Sequence, residues 1–197
     1  MIHDTLSFLC TEVNKYFNLK LGNTTDPRLR IGNASRALDD SLSGANSLKD
    51  KAILTLVNVE EDRVARQQEN FSRGDVGTIY KQPPLYLNLY ILFSINKDDY
   101  KDTLIWLSYI MQFFQHQKVF TPTAYPNLDS GIQKIMVDLF NLNFEQVNHL
   151  WSTMGGKYLP SVMYKVRQIT VDEDLTTGES GFIKEIQLSE KMKLPAS

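Results

Sequence analysis

The fold is decided by one apolar stretch, residues 83–94, which reads Pro83-Pro84-Leu85-Tyr86-Leu87-Asn88-Leu89-Tyr90-Ile91-Leu92-Phe93-Ser94. If side chains alternate along it, one face carries Leu85, Leu87, Leu89, Ile91 and Phe93, and the other carries Tyr86, Asn88, Tyr90 and Leu92. This pattern is typical of a central β-strand that packs against a helix on one face and a partly polar layer on the other. The two prolines precede the first ladder bond, where a missing N–H costs little.

Three further segments have strand patterns. Residues 52–60 and 162–171 are rich in β-branched residues, and 28–33 is short enough for an edge strand. Residues 132–142 fit either a helix or a strand, and the nearby Gly131 and β-branched residues favour a strand.

Helical periodicity marks three other segments. The first twenty residues carry one apolar stripe, which Asp4 or Thr5 can cap and Gly22 ends; its members are Leu6, Leu9, Cys10, Val13 and Phe17. A second helix is predicted over 100–116, with Leu104, Leu107, Met111 and Phe114 as its main stripe, widened by Trp106, Ile110 and Phe113. A short helix is predicted over 143–154.

These elements predict an α+β fold. It consists of a mostly antiparallel, four- to five-stranded sheet with two long helices and one short helix. We expect one domain over residues 1–171, with extended loops at 23–50 and 61–82, followed by a C-terminal arm or tail at 172–197. Loops of this length inside a compact domain are often functional.

Composition excludes several classes of protein. The 197 residues carry 21 basic and 23 acidic side chains, a balance that argues against a generic binder of nucleic acid or anionic membranes. The single cysteine, Cys10, cannot form an internal disulfide. Neither a secretory signal nor a run of about 18 apolar residues is visible, so we expect a soluble protein made in the cytosol.

Catalytic signals are sparse. The three histidines (His3, His116 and His149) lack metal-ligand spacing, and the acidic run at 60–62 is more typical of a solvated cluster than of an active site. We therefore predict a protein that is not an enzyme and holds neither metal nor cofactor. The aromatic residues exceed what one small sheet must hide. They either complete the core or form a protein-binding surface, where Tyr, Trp and Arg dominate.

Several strings resemble one known family. They are the opening Met1-Ile2-His3-Asp4-Thr5-Leu6-Ser7-Phe8-Leu9, then Leu56-Val57-Asn58-Val59-Glu60-Glu61-Asp62, the stretch 83–94 quoted above, and Lys157-Tyr158-Leu159-Pro160-Ser161-Val162-Met163-Tyr164-Lys165-Val166-Arg167. In this order, over about residues 1–171, the chain resembles the N-terminal domain of the cap, or tail-terminator, proteins of extracellular contractile injection systems. These phage-tail-like particles include the Photorhabdus virulence cassettes and the antifeeding prophage.

The resemblance implies a structural role. Such terminators form a ring, usually a hexamer, on the distal end of the inner tube and sheath, where they end polymerisation and anchor the sheath. The implied partners are other copies of the chain, the inner tube protein, the sheath protein and a second, related cap protein, but no nucleic acid and no membrane. Assembly in the cytoplasm would precede incorporation into a released or cell-associated particle.

Under this hypothesis three regions make the contacts: the 23–50 loop, the 61–82 arm and the 172–197 tail. The candidate interface residues are Arg28, Arg30, Arg63, Arg66, Arg73, Tyr80, Lys81, Phe182, Ile183 and Ile186. Two alternatives remain open. One is another tail-completion or sheath-adaptor role in such a particle. The other is an enzyme or small-ligand module, which should show a deep pocket with perturbed titratable groups.

Overall fold

The computed structural model describes residues 1–39, 41, 43–62, 71–73, 77–81, 85–129, 131–155, 157–171 and 176–181. Contacts between Cα atoms divide the chain into two units, residues 1–65 with 85–171 and residues 66–84 with 172–197. The helices are α1 (Ile2–Leu21), α2 (Tyr100–His116) and α3 (Phe144–Thr153). The strands are β1 (Leu29–Ile31), β2 (Lys51–Glu61), β3 (Phe71–Arg73), β4 (Gly77–Lys81), β5 (Leu85–Asn96), β6 (Val119–Phe120), β7 (Ile135–Phe140), β8 (Ser161–Val171) and β9 (Thr176–Gly181).

The first unit is built on a six-stranded sheet in the order β1-β2-β5-β8-β7-β6. Its pairs are antiparallel except for the parallel pair of β1 with β2. The α+β class, the central place of the 85–96 strand and the strand in the ambiguous 132–142 segment are confirmed. The predicted four to five strands were too few, because the two-residue strand β6 has too little pattern to be seen in the sequence.

The second unit contains a separate sheet in the order β3-β4-β9, with both pairs antiparallel. Residues 71–73 and 77–81 come from the predicted 61–82 arm, and 176–181 come from the predicted C-terminal tail. The two prolines that precede the organising strand lie outside the described residues.

One face of the six-stranded sheet is covered by α1 and α2. Leu89, Ile91 and Phe93 of β5 are fully buried in this first core. Rings meet in this core: Phe17 of α1 and Trp106 of α2 lie 5.4 Å apart between centroids, and Phe93 of β5 and Phe114 of α2 are also 5.4 Å apart. The alternation predicted for the organising strand is confirmed, since this face is the aliphatic one.

The other face carries a second, smaller core. Leu92 and Met163 from the sheet pack with Trp151 of α3 and with Ala34 and Leu48 of the 23–50 segment. That segment therefore lies against the sheet over part of its length. Because α3 contributes few buried side chains, most of its surface stays exposed.

Two predicted helix details were wrong. Helix α1 begins at Ile2, so Asp4 and Thr5 lie inside its first turn, where Asp4 pairs with the N-terminal ammonium of Met1. In α2 the buried stripe is Thr103, Trp106, Ile110, Phe113 and Phe114, whereas Leu104 and Met111 are 44% and 43% exposed. Gly22 ends α1 with φ at +84°, as glycine permits, and Asp99 caps α2.

Candidate interaction surfaces

An open groove of about 520 Å³ lies between α3 and the sheet. We call it the α3 groove; its lining residues are Val57, Asn58, Glu60, Tyr90, Phe140, Leu142, Gln146, His149, Leu150, Thr153, Met154 and Met163. Trp151 anchors α3 on the sheet and is 4% exposed. The rings of Tyr90 and Phe140 meet edge to face at 5.0 Å in the lining. The groove is therefore apolar and aromatic, a composition that suits protein contacts.

One wall of the α3 groove is charged. The Glu60 carboxylate accepts hydrogen bonds from Lys165 Nζ at 2.8 Å and from the Tyr90 hydroxyl at 2.7 Å. These bonds, the one from Lys165 first, lower the pKa of the Glu60 carboxyl, and the same contact raises the pKa of Lys165. Both groups thus stay charged near neutral pH. The pair can orient a partner's polar groups, but it does not resemble an acid and a base with pKa values tuned for proton transfer.

Apolar side chains also remain exposed along α2 and β7. We call this surface the α2 strip; it comprises Leu104, Met111 and Leu139, which are 44%, 43% and 48% exposed. Met111 and Leu139 line the same shallow hollow together with Lys118. The sequence predicted Leu104 and Met111 to be buried. A helix that is apolar around much of its girth leaves apolar side chains in solvent when the sheet covers only one side of it.

Two of the predicted interface residues have contacts inside the subunit. Arg28 donates to Asn18 Oδ1 at 2.8 Å and to the Leu21 carbonyl at 3.3 Å, so it ties β1 to the end of α1. Arg30 donates to the carbonyls of Gly44 at 3.1 Å and Ser47 at 2.8 Å, and its side chain is 15% exposed. Both arginines hold the 23–50 segment in place, and their contact with a partner stays a prediction.

The second sheet brings together three other predicted residues. Arg73 is the last residue of β3 and is in register with Thr78 of β4. Tyr80 and Lys81 are the last two residues of β4, and Tyr80 is in register with Phe71 of β3. On the other side β4 pairs with β9. Arg63, Arg66, Phe182, Ile183 and Ile186 lie outside the described residues.

Most of the aromatic residues in the described part complete the core. Trp106, Phe113 and Trp151 are 8%, 8% and 4% exposed. Tyr100, at 64%, is an exception on the outer face of α2. Of the two alternatives that the sequence left open for the aromatic residues, the burial of these side chains supports completion of the core. The exposed apolar side chains include both aliphatic residues and rings, of which Phe144, at 97%, is the most exposed of those described.

Cys10 has no reactive setting. Its thiol donates to the Leu29 carbonyl at 3.3 Å, and burial raises its pKa to about 11. A nucleophilic cysteine needs the opposite shift. Within the part of the chain that the structure describes, no three His, Cys, Asp or Glu side chains are grouped to hold a metal ion. No described helix is long and apolar enough to cross a bilayer.

Comparisons with known proteins agree on one family. The family model of the Pvc16 N-terminal domain matches residues 10–185. The fold is shared with a sheath/tube terminator of the extracellular contractile injection system PVC in its extended state, at a TM-score of 0.55 and 16% identity. It is also shared with the tube-terminating cap of the anti-feeding prophage AFP, at a TM-score of 0.58 and 12% identity.

These likenesses cover nearly all of this chain but only part of the other two. The alignment takes in 95% of this chain and 65% of the terminator, and 91% of this chain and 59% of the cap. The chain therefore spans less than two thirds of the length of either. No curated protein matches the sequence. At these identities the structural comparison demonstrates a common fold.

Proposed function

Because the chain belongs to the Pvc16 N-terminal domain family, we propose that it is a structural cap, or tail terminator, of a phage-tail-like contractile injection system. In this role it forms a ring on the distal end of the inner tube and sheath, ends polymerisation and anchors the sheath. The family match over residues 10–185 carries the proposal. The two structures with the same fold support it, since one is a sheath/tube terminator and the other a tube-terminating cap.

The surfaces of the subunit suit such an assembly. A ring uses heterologous interfaces, in which two different patches of each subunit meet, and further patches must remain for the tube and the sheath. The α3 groove and the α2 strip lie on the two opposite faces of the six-stranded sheet. Exposed apolar surface of this kind marks interaction sites in soluble proteins.

The finer details belong to the same proposal. We expect six copies in the ring, with the inner tube protein, the sheath protein and a second, related cap protein as partners. The 23–50, 61–82 and 172–197 regions would make the contacts. We expect assembly in the cytoplasm and a final place in the extracellular particle. Deletion of residues 62–79 tests whether the 61–82 arm makes contacts in the particle. Normal rings and normal particle length after the deletion would show that the arm is not needed for them.

The proposed function is tested by electron microscopy of negatively stained particles from a strain that lacks this protein. We expect particles of uncontrolled length, or with frayed distal ends. The defect should be restored by the wild-type gene and equally by a Lys20→Ala variant, because Lys20 is exposed on α1 and belongs neither to the two surfaces nor to the three contact regions. Normally capped particles in the deletion strain would refute the function.

The mass in solution separates the structural role from a small-ligand or enzymatic role. Light scattering of the purified chain should show a closed oligomer at micromolar concentration. A monomer at all accessible concentrations would contradict the ring.

A further inference from the structure

One face of α2 is exposed and carries no charge. We call it the α2 ridge; its members are Leu104, Ser108, Met111 and Gln115, which recur at i, i+4, i+7 and i+11 and are all exposed. No residue from 103 to 115 is charged. The exposed face of a helix normally carries charged side chains, and their depletion is typical of the core of a protein interface. The α2 ridge therefore has the composition of a surface that a partner covers.

The α3 groove has a similar composition on the other face of the sheet. Among its described lining residues, Glu60 is the only acidic side chain, and none is lysine or arginine. The groove is open and concave, and its volume of about 520 Å³ is large enough for several side chains. Rows of side chains on one helix pack into the grooves of a neighbouring surface in ordinary helix contacts. The convex ridge and the concave groove are thus suited to each other.

The neutral polar groups of the two surfaces also match. Ser108 and Gln115 alternate with the apolar residues of the α2 ridge. In the α3 groove the neutral polar side chains include Asn58, Gln146 and Thr153. Hydroxyl and amide groups can both donate and accept hydrogen bonds, so they can pair across a contact in any of several combinations. A contact between the two surfaces can therefore satisfy its polar groups without burying an unpaired charge.

The charges at the margins of the two surfaces have opposite signs. Lys118 lines the hollow beside Met111, is exposed, and has no ion pair among the described residues. On the groove wall, the Glu60 carboxylate accepts from Lys165 and Tyr90, yet its side chain is 48% exposed. A carboxylate has about four lone-pair sites, so Glu60 can accept a further donor from a neighbouring chain.

We propose that the α2 ridge of one copy of this chain packs into the α3 groove of the next copy, with Lys118 of the first beside Glu60 of the second. We call this contact the joint. The proposal rests on the ring of the proposed function and names the two surfaces that form it. Leu104 and Met111, 44% and 43% exposed in the subunit, leave solvent in the joint. Because α2 and α3 cover opposite faces of the sheet, each copy uses both surfaces at once, and the joint is head to tail, as a closed ring requires.

Cysteine cross-linking of the full chain tests the joint. Ser108→Cys and Thr153→Cys place one thiol on the ridge and one in the groove, both at exposed positions. In one chain, Ser108 lies on the side of α2 away from the core, and Thr153 lies on α3 behind the sheet. A helix with its side chains is about 10–12 Å wide, so these Cα atoms are much farther apart than the roughly 7 Å that a disulfide spans. A link between the two thiols therefore reports a contact between copies.

With a short bifunctional thiosulfonate, we expect the Ser108→Cys/Thr153→Cys variant to give a ladder of products up to the full ring on non-reducing gels. A mixture of the two single variants should stop at the dimer, since each copy brings only one of the two thiols. Each single variant alone shows whether the native Cys10 contributes. A Leu19→Cys/Thr153→Cys variant is the matched control and should give no ladder, because Leu19 is 78% exposed on α1 and lies outside the joint.

A charge placed on either surface supplies an independent readout. Ser108→Glu and Thr153→Glu each change an exposed side chain, so the monomer should keep its melting temperature. In the joint either carboxylate would be buried among neutral side chains, which is unfavourable. We expect the concentration at which rings form to rise roughly tenfold or more for both variants. Leu19→Glu is the control and should leave ring formation unchanged.

The outcomes separate the joint from the function. Rings that form without a cross-link ladder, a ladder that stops at the dimer, or rings that both glutamate variants leave unchanged would each overturn the joint and leave the proposed cap intact. Failure of the wild-type chain to form any ring would overturn the proposed function and the joint with it. If a glutamate variant lowers the melting temperature of the monomer, the cross-linking result decides.

Discussion

The side chain of Asn14 brackets the backbone of Leu29. Its Nδ2 donates to the Leu29 carbonyl at 2.8 Å, and its Oδ1 accepts from the Leu29 N–H at 2.9 Å. Leu29 is fully buried in the edge strand β1. The amide thus replaces the hydrogen bonds that another strand would make with Leu29, so one side chain of α1 satisfies the outer edge of β1 at this residue.

Replacing Asn14 with Ala should lower the free energy of unfolding by about 1–3 kcal/mol, because the Leu29 N–H loses its partner and the Leu29 carbonyl keeps only the weak bond from the Cys10 thiol. Urea denaturation measures the loss. Leu19→Ala on the same helix is the control, since Leu19 is 78% exposed and its loss should change stability by less than about 0.5 kcal/mol. Equal effects of the two variants would show that the two hydrogen bonds between Asn14 and Leu29 contribute nothing to stability.

Arg30→Ala should destabilise the subunit itself. The guanidinium group holds the carbonyls of Gly44 and Ser47 and pairs with Asp26, and hydrogen bonds from a charged group contribute about 1.5–3 kcal/mol. Hydrogen exchange should report faster exchange within residues 43–50 and lower overall stability. The comparison is Arg36→Ala, whose ion pair with Asp39 is at the surface. Unchanged stability together with lost oligomers would instead make Arg30 an interface residue.

Cys10 should be inert in the folded protein. Because burial raises the pKa of its thiol from 9.0 to about 11, the folded state at pH 8 holds almost no thiolate, and reaction with a thiol reagent should await unfolding. The same shift has a consequence for stability. Between about pH 9 and pH 11 the unfolded chain loses this proton first, so stability should fall as pH rises through that window.

The Cys10→Ser variant checks the pH effect. Because this variant lacks the titrating thiol, the part of the loss of stability at alkaline pH that Cys10 causes should disappear. Rapid labelling of native protein at pH 8 would contradict the buried setting of the thiol.

Phe114→Ala and Phe144→Ala make a matched pair. Phe114 is 1% exposed and meets Phe93 and Tyr164, so its removal should cost about 3–5 kcal/mol. Phe144 is 97% exposed, and its removal should change monomer stability by less than about 0.5 kcal/mol. Thermal and denaturant unfolding of dilute protein measure both. A large loss from Phe144→Ala would mean that its ring packs against the subunit.

Asn143→Ala should loosen α3 and with it the α3 groove. The Asn143 side chain accepts from the Gln146 N–H at 2.8 Å, and the Gln146 side chain accepts from the Asn143 N–H at 3.0 Å, which together form a capping box. Loss of the cap should cost about 0.5–2 kcal/mol. Hydrogen exchange in α3 should increase, whereas the exposed neighbour Asn141, replaced by Ala, should leave it unchanged.

The sequence predicted the main elements because their patterns are local. The aliphatic face of residues 85–93 and the glycine after α1 each depend on neighbours within a few positions. The α2 stripe was misassigned for the opposite reason. A helix with apolar residues around its girth fits several orientations, and its packing on β5 and α1 decides between them.

Glu12 shows the same limit for a charged side chain. Helical spacing placed it off the buried stripe of α1, yet it is 8% exposed. Its carboxylate accepts from Lys15 at 2.6 Å and from Asn127 at 3.2 Å, a residue 115 positions away. No local pattern contains that second partner.

The sequence by itself determined the class of fold, the central strand with its two faces, the end of α1 at Gly22 and the family resemblance. All of these follow from side-chain periodicity, from capping chemistry or from strings of adjacent residues. Only the tertiary structure decided which surface remains for partners. Among the residues that the structure describes, the α3 groove and the α2 strip are what remains uncovered after α1, α2 and α3 have packed on the sheet. Exposure of this kind depends on residues far apart in the chain, so no local pattern encodes it.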